Sequence, residues 1–120
     1  MDKTVFVVDD IGTNLSVTKA VLDSHYSIVT ISSGKKALAL LEKITPNLIL
    51  LDIDMPEMDG FEVMEKLQEQ ERFMKIPVIF LTAIIDKDVE DKGRKMGAVD
   101  FITKPFSAPV LLDKVHSHVG

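Results

Sequence analysis

The sequence contains no cysteine, which excludes a disulfide framework and any thiolate metal site. No apolar run approaches the ~20 residues needed to cross a bilayer, and the first residues lead directly into a strand-like segment without a signal-peptide pattern. No basic run is present and the formal net charge is −5, so this segment is not expected to bind nucleic acid by itself. These absences predict a cytoplasmic protein that does not contact a membrane.

The composition is that of one ordinary globular domain. Hydrophobic residues make up 46% of the chain and charged residues 28%, which argues against disorder. A chain of 120 residues has room for a single core. We therefore interpret residues 1–120 as one domain.

Strand-like apolar runs alternate with helical segments five times along the chain. The runs cover residues 5–8, 26–31, 48–51, 78–81 and 100–103. Continuous apolar strands alternating with helices indicate an α/β protein whose parallel sheet is covered by helices on both faces. Right-handed crossovers then favour the flavodoxin-like strand order 2-1-3-4-5, which gives a five-stranded (βα)5 three-layer sandwich.

Apolar spacing and capping residues predict the helices. The first is expected to begin at an N-cap formed by Thr13 or Asn14. Its predicted buried face consists of Val17, Ala20, Val21 and Leu22. The second follows a cap at Ser32-Ser33, and its predicted buried stripe consists of Ala37, Leu40, Leu41 and Ile44.

The segment 86–96 is a helix with few apolar anchors. Only Val89 and Met96 stand at helical spacing, and Gly93 lies between them. We expect its contact with the core to be weak and this helix to be the most mobile one. The final helix is lined by Ala108, Leu111, Leu112, Val115 and Val119.

Carboxylates stand at the ends of two strands that the predicted order makes neighbours. Asp9 and Asp10 close the first strand, and Asp52 closes the third. The carboxyl ends of parallel strands form the edge where ligands bind, so these three side chains are expected to meet there. Thr82 and Lys104, at the ends of the fourth and fifth strands, should flank them.

Three neighbouring carboxylates need a source of positive charge or a proton. Each like-charge pair at ~4 Å costs about 4 kcal/mol at a near-surface effective dielectric. A raised pKa, a cation or the Lys104 ammonium could offset this repulsion. Oxygen ligands without nearby histidine or cysteine favour a hard divalent ion, and Mg²⁺ fits best because it prefers one or two carboxylates plus water and a phosphate oxygen.

Such a site suits phosphoryl transfer, in which the protein mainly positions groups and neutralises charge. Asp52 would be the nucleophile, because a carboxylate beside a metal can form an acyl phosphate. Asp9 and Asp10 would hold Mg²⁺ directly or through water. Thr82 would offer a hydroxyl, and Lys104 a fixed positive charge, to the phosphoryl oxygens.

At these residues the sequence resembles the receiver domain of two-component response regulators. The matching segments are Val-Asp-Asp at 8–10, Leu-Asp-Ile-Asp-Met-Pro-Glu-Met-Asp-Gly at 51–60, Leu-Thr-Ala at 81–83 and Phe-Ile-Thr-Lys-Pro-Phe at 101–106. The resemblance implies that Asp52 accepts a phosphoryl group, with Mg²⁺ bound, from a phosphohistidine on a sensor histidine kinase or a phosphotransfer protein. It also implies that the chain catalyses only its own phosphoryl transfer and dephosphorylation.

The resemblance further implies a conformational response. Thr82 and Phe101 would move when Asp52 is phosphorylated and reshape the face made by the predicted fourth helix, fifth strand and fifth helix. That face could contact an output domain or output protein, or form a homodimer. A cis peptide bond is implied at Lys104-Pro105.

Two further positions are implied to set the rate at which the phosphoryl group is hydrolysed, Asp54 and Ile84. We hypothesise that Asp54 offers Mg²⁺ its backbone carbonyl while its side chain affects the attacking water. Ile11 follows the acidic pair where many receivers have Glu or Asp. That departure leaves the metal ligands intact.

Other interpretations compete. Asp52-Ile53-Asp54 matches the Asp-x-Asp of haloacid-dehalogenase-type phosphatases, although there the motif normally follows the first strand of a longer chain. A pseudo-receiver that binds partners without phosphorylation is a third possibility, and Asp9 and Asp10 could merely cap the first helix. Three scattered histidines are interpreted as surface residues without chemistry: His25, His116 and His118.

Overall fold

The computed structural model describes residues 3–119 as one parallel sheet with six helices. The elements are β1 (Thr4–Val8), α1 (Gly12–Leu22), β2 (Ser27–Ile31), α2 (Gly34–Leu41), β3 (Leu48–Asp52), α3 (Gly60–Gln68), α4 (Glu71–Met74), β4 (Val78–Thr82), α5 (Lys87–Lys95), β5 (Asp100–Thr103) and α6 (Ala108–Val119). The strand order is β2-β1-β3-β4-β5, and all neighbours are parallel. The predicted flavodoxin-like order 2-1-3-4-5 is therefore confirmed.

The sheet has a hydrophobic core on each face, because successive side chains of a strand point to opposite sides. In β1, Val5 and Val7 pack on the side of α1 and α6, whereas Phe6 and Val8 pack on the side of α2 to α5. β3 is buried along its whole length, as expected for a central strand covered on both faces. No helix within residues 3–119 is long and apolar enough to cross a membrane.

The predicted start of α1 is wrong, and its predicted buried face is confirmed only at Leu22 and, in part, at Val21. Its N-cap is Ile11, which makes no side-chain capping bond, and the Ile11 carbonyl already accepts from the Leu15 amide at 3.2 Å. The helix therefore begins before Thr13. Its buried residues are Thr18 and Leu22, while Val17 is 56% exposed. Ala20, also predicted to be buried, is exposed too.

The α2 prediction is partly confirmed. The Ser33 side chain accepts from the Lys36 amide at 3.2 Å, and Ala37 and Leu41 are buried. Ile44, predicted to continue the stripe, lies beyond the end of the helix and is 41% exposed.

The short helix α4 was not predicted. It has four residues, of which only Phe73 is buried, so it offers no helical period to recognise. Because α4 comes before β4, the predicted fourth and fifth helices are α5 and α6.

α5 has few apolar contacts with the rest of the domain. Its N-cap Asp86 accepts from the Val89 amide at 2.9 Å, and Gly93 is the one residue between Lys87 and Lys95 that is fully buried. Val89 and Met96 are half-buried against the core. The sparse apolar contact fits the expected weak attachment, and the mobility of α5 remains a prediction.

Candidate functional site

The structure brings Asp9, Asp10 and Asp52 together at the carboxyl edge of the sheet. β1 and β3 are direct neighbours, with Val8 opposite Leu51, so the residues that follow them meet. One carboxylate oxygen from each residue lies within 4.8 Å of the others. Asp9 and Asp52 are buried, and Asp10 is exposed. The cluster is thus open to solvent at Asp10.

Lys104 supplies positive charge to this cluster. Its ammonium Nζ lies 2.9 Å from Asp9 Oδ2 and 3.1 Å from Asp52 Oδ1. Lys104 follows β5, where its amide donates to the Thr82 carbonyl at 2.8 Å, and the Lys104-Pro105 bond is cis, as the resemblance implied. Burial disfavours the charged amine, but the hydrogen bond to Asp9 and the charge of Asp52 outweigh burial and raise the pKa of Lys104.

The ionised form of Asp52 remains disfavoured despite the ammonium of Lys104. Burial, followed by the neighbouring charge of Asp9, raises the pKa of Asp52 to about 6. The Lys104 ammonium and the Asp54 amide act in the opposite direction without compensating. A further cation at the cluster would therefore stabilise the ionised form of Asp52.

The β3–α3 loop fixes the end of β3. A Cβ atom on Gly60 would lie 2.6 Å from the Asp52 carbonyl oxygen and 2.8 Å from Ile53 Cα, so only glycine permits this close approach. Asp59 caps α3 in a reciprocal capping box with Glu62. Together these contacts hold the first turn of α3 against the carboxyl end of β3.

The two carboxylate oxygens of Asp52 have different environments. Asp52 Oδ1 receives the Lys104 ammonium, and it also accepts from the Asp54 amide at 3.3 Å. Within residues 3–119, no hydrogen bond reaches Oδ2. The Asp54 side chain is exposed at the rim of the site. Asp52 is thus anchored through one oxygen and leaves the other available.

Thr82 lies on β4, the strand next to Asp52, and Phe101 lies on β5, one strand further along the sheet. Asp52 pairs with Leu81, which places buried Thr82 one residue beyond it at the same edge. The Thr82 hydroxyl donates to the Ile84 carbonyl at 3.0 Å and accepts from the Ile84 amide at 3.2 Å. Phe101 is buried, with its ring centroid 5.8 Å from that of Phe80.

Sequence reasoning missed an apolar cleft next to Lys104. The cleft has a volume of about 390 Å³ and extends from Asp9 past Val17 to Phe106. Apolar spacing predicts Val17 on the buried face of α1, whereas the structure exposes it in this cleft. Val17, an exposed apolar side chain in the second turn of α1, forms part of one wall of this cleft.

The histidines are less scattered than predicted. The Tyr26 hydroxyl is hydrogen-bonded to His116 Nδ1, and the rings of His25 and His116 have centroids 5.3 Å apart. His118 Nε2 lies 3.1 Å from Asp100 Oδ2. His116 belongs to α6, and its ring centroid lies 5.4 Å from that of Tyr26, which belongs to the core on the α1–α6 side of the sheet. Their mutual contact joins residues far apart in sequence, which periodicity does not reveal.

The donor set of the acidic cluster fits a hard divalent cation. Asp9, Asp10 and Asp52 offer only carboxylate oxygens, and the cluster is buried on one side and open on the other. Mg²⁺ binds in this way through a few carboxylates while keeping several waters. Burial and the charge of Asp9 raise the pKa of Asp52 despite Lys104, so a further cation at the cluster would favour its ionised form.

Comparison with known proteins identifies the family. The response regulator receiver domain family matches residues 5–116. The chain is 36% identical over 121 residues to the polar-differentiation response regulator DivK of Brucella ovis, covering 100% of this chain and 98% of DivK. It is 40% identical over 116 residues to a probable cyclic di-GMP phosphodiesterase of Vibrio cholerae, covering 97% of this chain but 26% of that protein. The chain thus spans about a quarter of the phosphodiesterase.

A solved structure extends the likeness to the site. The receiver domain of the sensor histidine kinase PA1611 from Pseudomonas aeruginosa has a TM-score of 0.90 and 26% identity, covering 100% of this chain and 99% of that one. That structure has a magnesium ion coordinated in its active-site cleft. The fold, the strand-end carboxylates and the match over residues 5–116 lead to one conclusion: the chain belongs to the receiver domains of two-component response regulators.

Proposed function

We propose that Asp52 accepts a phosphoryl group from a phosphohistidine donor and that the chain acts as a phosphorylation-controlled switch. The observation that carries this proposal is the contact of one ammonium with two buried carboxylates: Lys104 Nζ lies 2.9 Å from Asp9 and 3.1 Å from Asp52. A buried carboxylate held in this way keeps one oxygen free to attack, and the Lys104 ammonium can stabilise the negative charge of the phosphoryl oxygens. The reaction modifies the chain itself and needs no separate substrate beyond the donor.

In the transfer step, Asp52 Oδ2 attacks phosphorus. The new bond joins this oxygen to phosphorus while the bond between phosphorus and the donor imidazole nitrogen breaks. The imidazole leaves with the electron pair and takes up a proton. Lys104, and the Thr82 hydroxyl once it is released from Ile84, would face the transferred oxygens, where positive charge and a hydrogen-bond donor stabilise the negative charge.

Asp9, Asp10, Asp52 and the backbone carbonyl of Asp54 would hold Mg²⁺. When bound, the ion supplies positive charge that offsets the repulsion among the carboxylates and the phosphoryl oxygens. The raised pKa of Asp52 supports this assignment, because a cation at the cluster favours the ionised nucleophile.

The donor would be a sensor histidine kinase or a phosphotransfer protein that docks over α1. Ile11, just before α1, and Val17 on it are 50% and 56% exposed, and Val17 lines the cleft that also reaches Lys104 and Phe106. Exposed apolar side chains of this kind mark a protein-binding surface when they lie together. Their position beside Lys104 would bring a phosphohistidine close to Asp52.

Phosphorylation would change the conformation of the face formed by α5, β5 and α6. Thr82 lies at the carboxyl end of β4, next to Asp52, and Phe101 on β5 packs against Phe80 of β4. Movement of Thr82 toward a phosphoryl group would free Ile84 and alter the loop that leads into α5. An output domain, an output protein or a second copy of the chain would read the change in this face.

A phosphatase of the haloacid-dehalogenase type is less well supported. Its Asp-x-Asp motif normally follows the first strand, whereas Asp52-Ile53-Asp54 follows β3, the middle strand of the sheet. A pseudo-receiver would not need the buried Asp9–Lys104–Asp52 arrangement.

Incubation with acetyl phosphate and Mg²⁺, followed by intact mass measurement, separates these functions. The switch predicts an adduct of one phosphoryl group that is absent from Asp52→Asn and present in the control Asp113→Asn, which removes an exposed carboxylate of α6. Rapid release of phosphate over many turnovers would favour the phosphatase instead. If the unmodified chain forms no adduct at all, the interpretation as a pseudo-receiver would be favoured.

A further inference from the structure

α5 contacts the domain through its backbone at Gly93. A Cβ atom on Gly93 would lie 2.5 Å from Phe101 Cζ and 2.9 Å from Phe101 Cε2, and Phe80 Cδ2 would follow at 3.1 Å. Contacts under 3.0 Å require one of the groups to shift. The ring of Phe101 thus occupies the space that any side chain at position 93 would need.

The residues on either side of Gly93 hold the helix across a row of aromatic rings. Lys92 Nζ lies 4.2 Å from the centroid of the Phe61 ring, and Arg94 Cζ lies 5.3 Å from that of Phe101. Both distances are within the range of a cation–π interaction. Phe80 lies between these two rings, with centroids 5.4 Å from Phe61 and 5.8 Å from Phe101.

This attachment differs from that of an ordinary amphipathic helix. The other long helices bury apolar side chains, which can change rotamer when a neighbour moves. At Gly93 there is no side chain to absorb a displacement, so the Phe101 ring bears directly on the helix backbone. A shift of the ring must therefore move α5 itself or break the contact.

We propose that Gly93 is the positioning residue that seats the Phe101 ring under α5, and that this contact transmits movement of the ring to the helix. The link from the ring to Asp52 rests on the function proposed above. The contact between Gly93 and Phe101 exists without phosphorylation, so it can be tested separately.

The test is amide hydrogen exchange of the whole chain, without phosphorylation, in four proteins: unmodified, Gly93→Ala, Phe101→Leu and the double variant. Helix propensity alone predicts that Gly93→Ala slows exchange in α5, by up to about fivefold. Steric conflict with Phe101 predicts the reverse, and we expect exchange of the 87–95 amides to accelerate about tenfold. Leucine lacks the Cζ and Cε2 atoms, so in the Phe101→Leu background Gly93→Ala should not accelerate exchange.

Gly12→Ala is the matched control. Gly12 is also helical, and a Cβ atom there would have nothing within 4 Å. This variant should leave exchange in α5 unchanged. Unchanged or slower α5 exchange in Gly93→Ala would overturn the proposal, and so would an equal acceleration with and without Phe101.

A second arm adds Mg²⁺ and beryllofluoride, an analogue of the phosphoryl group. The unmodified chain should change its α5 exchange on addition, and Gly93→Ala should respond at least about threefold less, because the added methyl forces the helix backbone away from its seat on the ring. If the four-protein comparison succeeds while the unmodified chain does not respond, the proposed switch fails and the role of Gly93 in seating Phe101 stands. An equal response in both proteins would overturn the transmission by Gly93.

Discussion

The Thr82 hydroxyl is bonded in both directions to the backbone of Ile84, donating to its carbonyl at 3.0 Å and accepting from its amide at 3.2 Å. The hydroxyl that would bind a phosphoryl group on Asp52 is thus hydrogen-bonded to the β4–α5 loop before phosphorylation. To reach the acceptor, Thr82 must release Ile84. The loop that precedes α5 then loses two hydrogen bonds at once.

Thr82→Val should therefore have two effects. Loss of the hydroxyl should lower the free energy of unfolding by roughly 1 kcal/mol, because valine keeps the shape of threonine but makes neither bond. Phosphorylated Asp52 should still form, and the accompanying change in the exchange of the Ile84 amide should disappear. Urea denaturation and hydrogen exchange measure the two effects. Thr82→Ser, which retains the hydroxyl, is the control and should behave like the unmodified chain in both.

Lys104→Met should destabilise the metal-free protein at pH 8 by roughly 3 kcal/mol, because it leaves two buried carboxylates without their cation. Saturating Mg²⁺ should recover part of this loss, while phosphorylation of Asp52 by acetyl phosphate should fall at least about tenfold. The control is Lys114→Met, which removes the ammonium that lies 2.8 Å from Asp100 at a more exposed pair. That variant should cost at most about 1 kcal/mol and leave phosphorylation unchanged. Equal losses in the two variants would contradict the special role of Lys104.

The stability of the metal-free protein should depend on pH through Asp52. Its pKa is raised from 3.8 to about 6, so the folded state holds a proton that the unfolded state releases between these values. Stability from this group is present below about pH 4 and is lost as pH rises through about 6.

The comparison of Asp52→Asn with the unmodified chain isolates this contribution. In EDTA at pH 8 the variant should be the more stable protein, and the difference should close toward pH 3.5. Denaturation in urea across this range provides the measurement. A difference that does not vary with pH would show that Asp52 has an ordinary pKa.

Asp54→Asn should lengthen the lifetime of phosphorylated Asp52 by about threefold or more, since the amide cannot attract or deprotonate the attacking water as a carboxylate does. The backbone carbonyl and the amide that donates to Asp52 are retained in this variant. Loss of radiolabelled phosphate over time gives the lifetime. Glu57→Gln removes an equal charge from an exposed residue of the same loop and should leave the lifetime unchanged. Identical lifetimes in all three proteins would remove the proposed role of the Asp54 side chain.

Strand ends were predictable from sequence because each central strand is a continuous apolar run that stops at a polar residue. Val78 to Leu81 ends at Thr82, and the run before Asp52 is buried throughout. Parallel topology then places the ends of neighbouring strands together without further information. The convergence of Asp9 and Asp52 follows from this register alone.

Helix faces were less predictable because a side chain's polarity does not fix its orientation. Thr18 is buried in α1 while Val17 is exposed, and α4 is too short to show any period. The sequence shows Gly93 only as a residue between two apolar anchors of α5, whereas in the structure its backbone packs against the Phe101 ring. Such contacts depend on residues brought together by the fold, which no local pattern specifies.

Tyr26 has a practical consequence through its hydrogen bond to His116. It is the single tyrosine of a chain without tryptophan, so ultraviolet emission from the protein originates at this one phenol. Tyr26 belongs to the core on the α1–α6 side of the sheet, and Phe101 belongs to the core on the other side. Tyrosine fluorescence therefore reports on the core that lies on the opposite face of the sheet from α5. It should follow global unfolding but not a rearrangement confined to the α2–α5 side, so the two kinds of change can be distinguished.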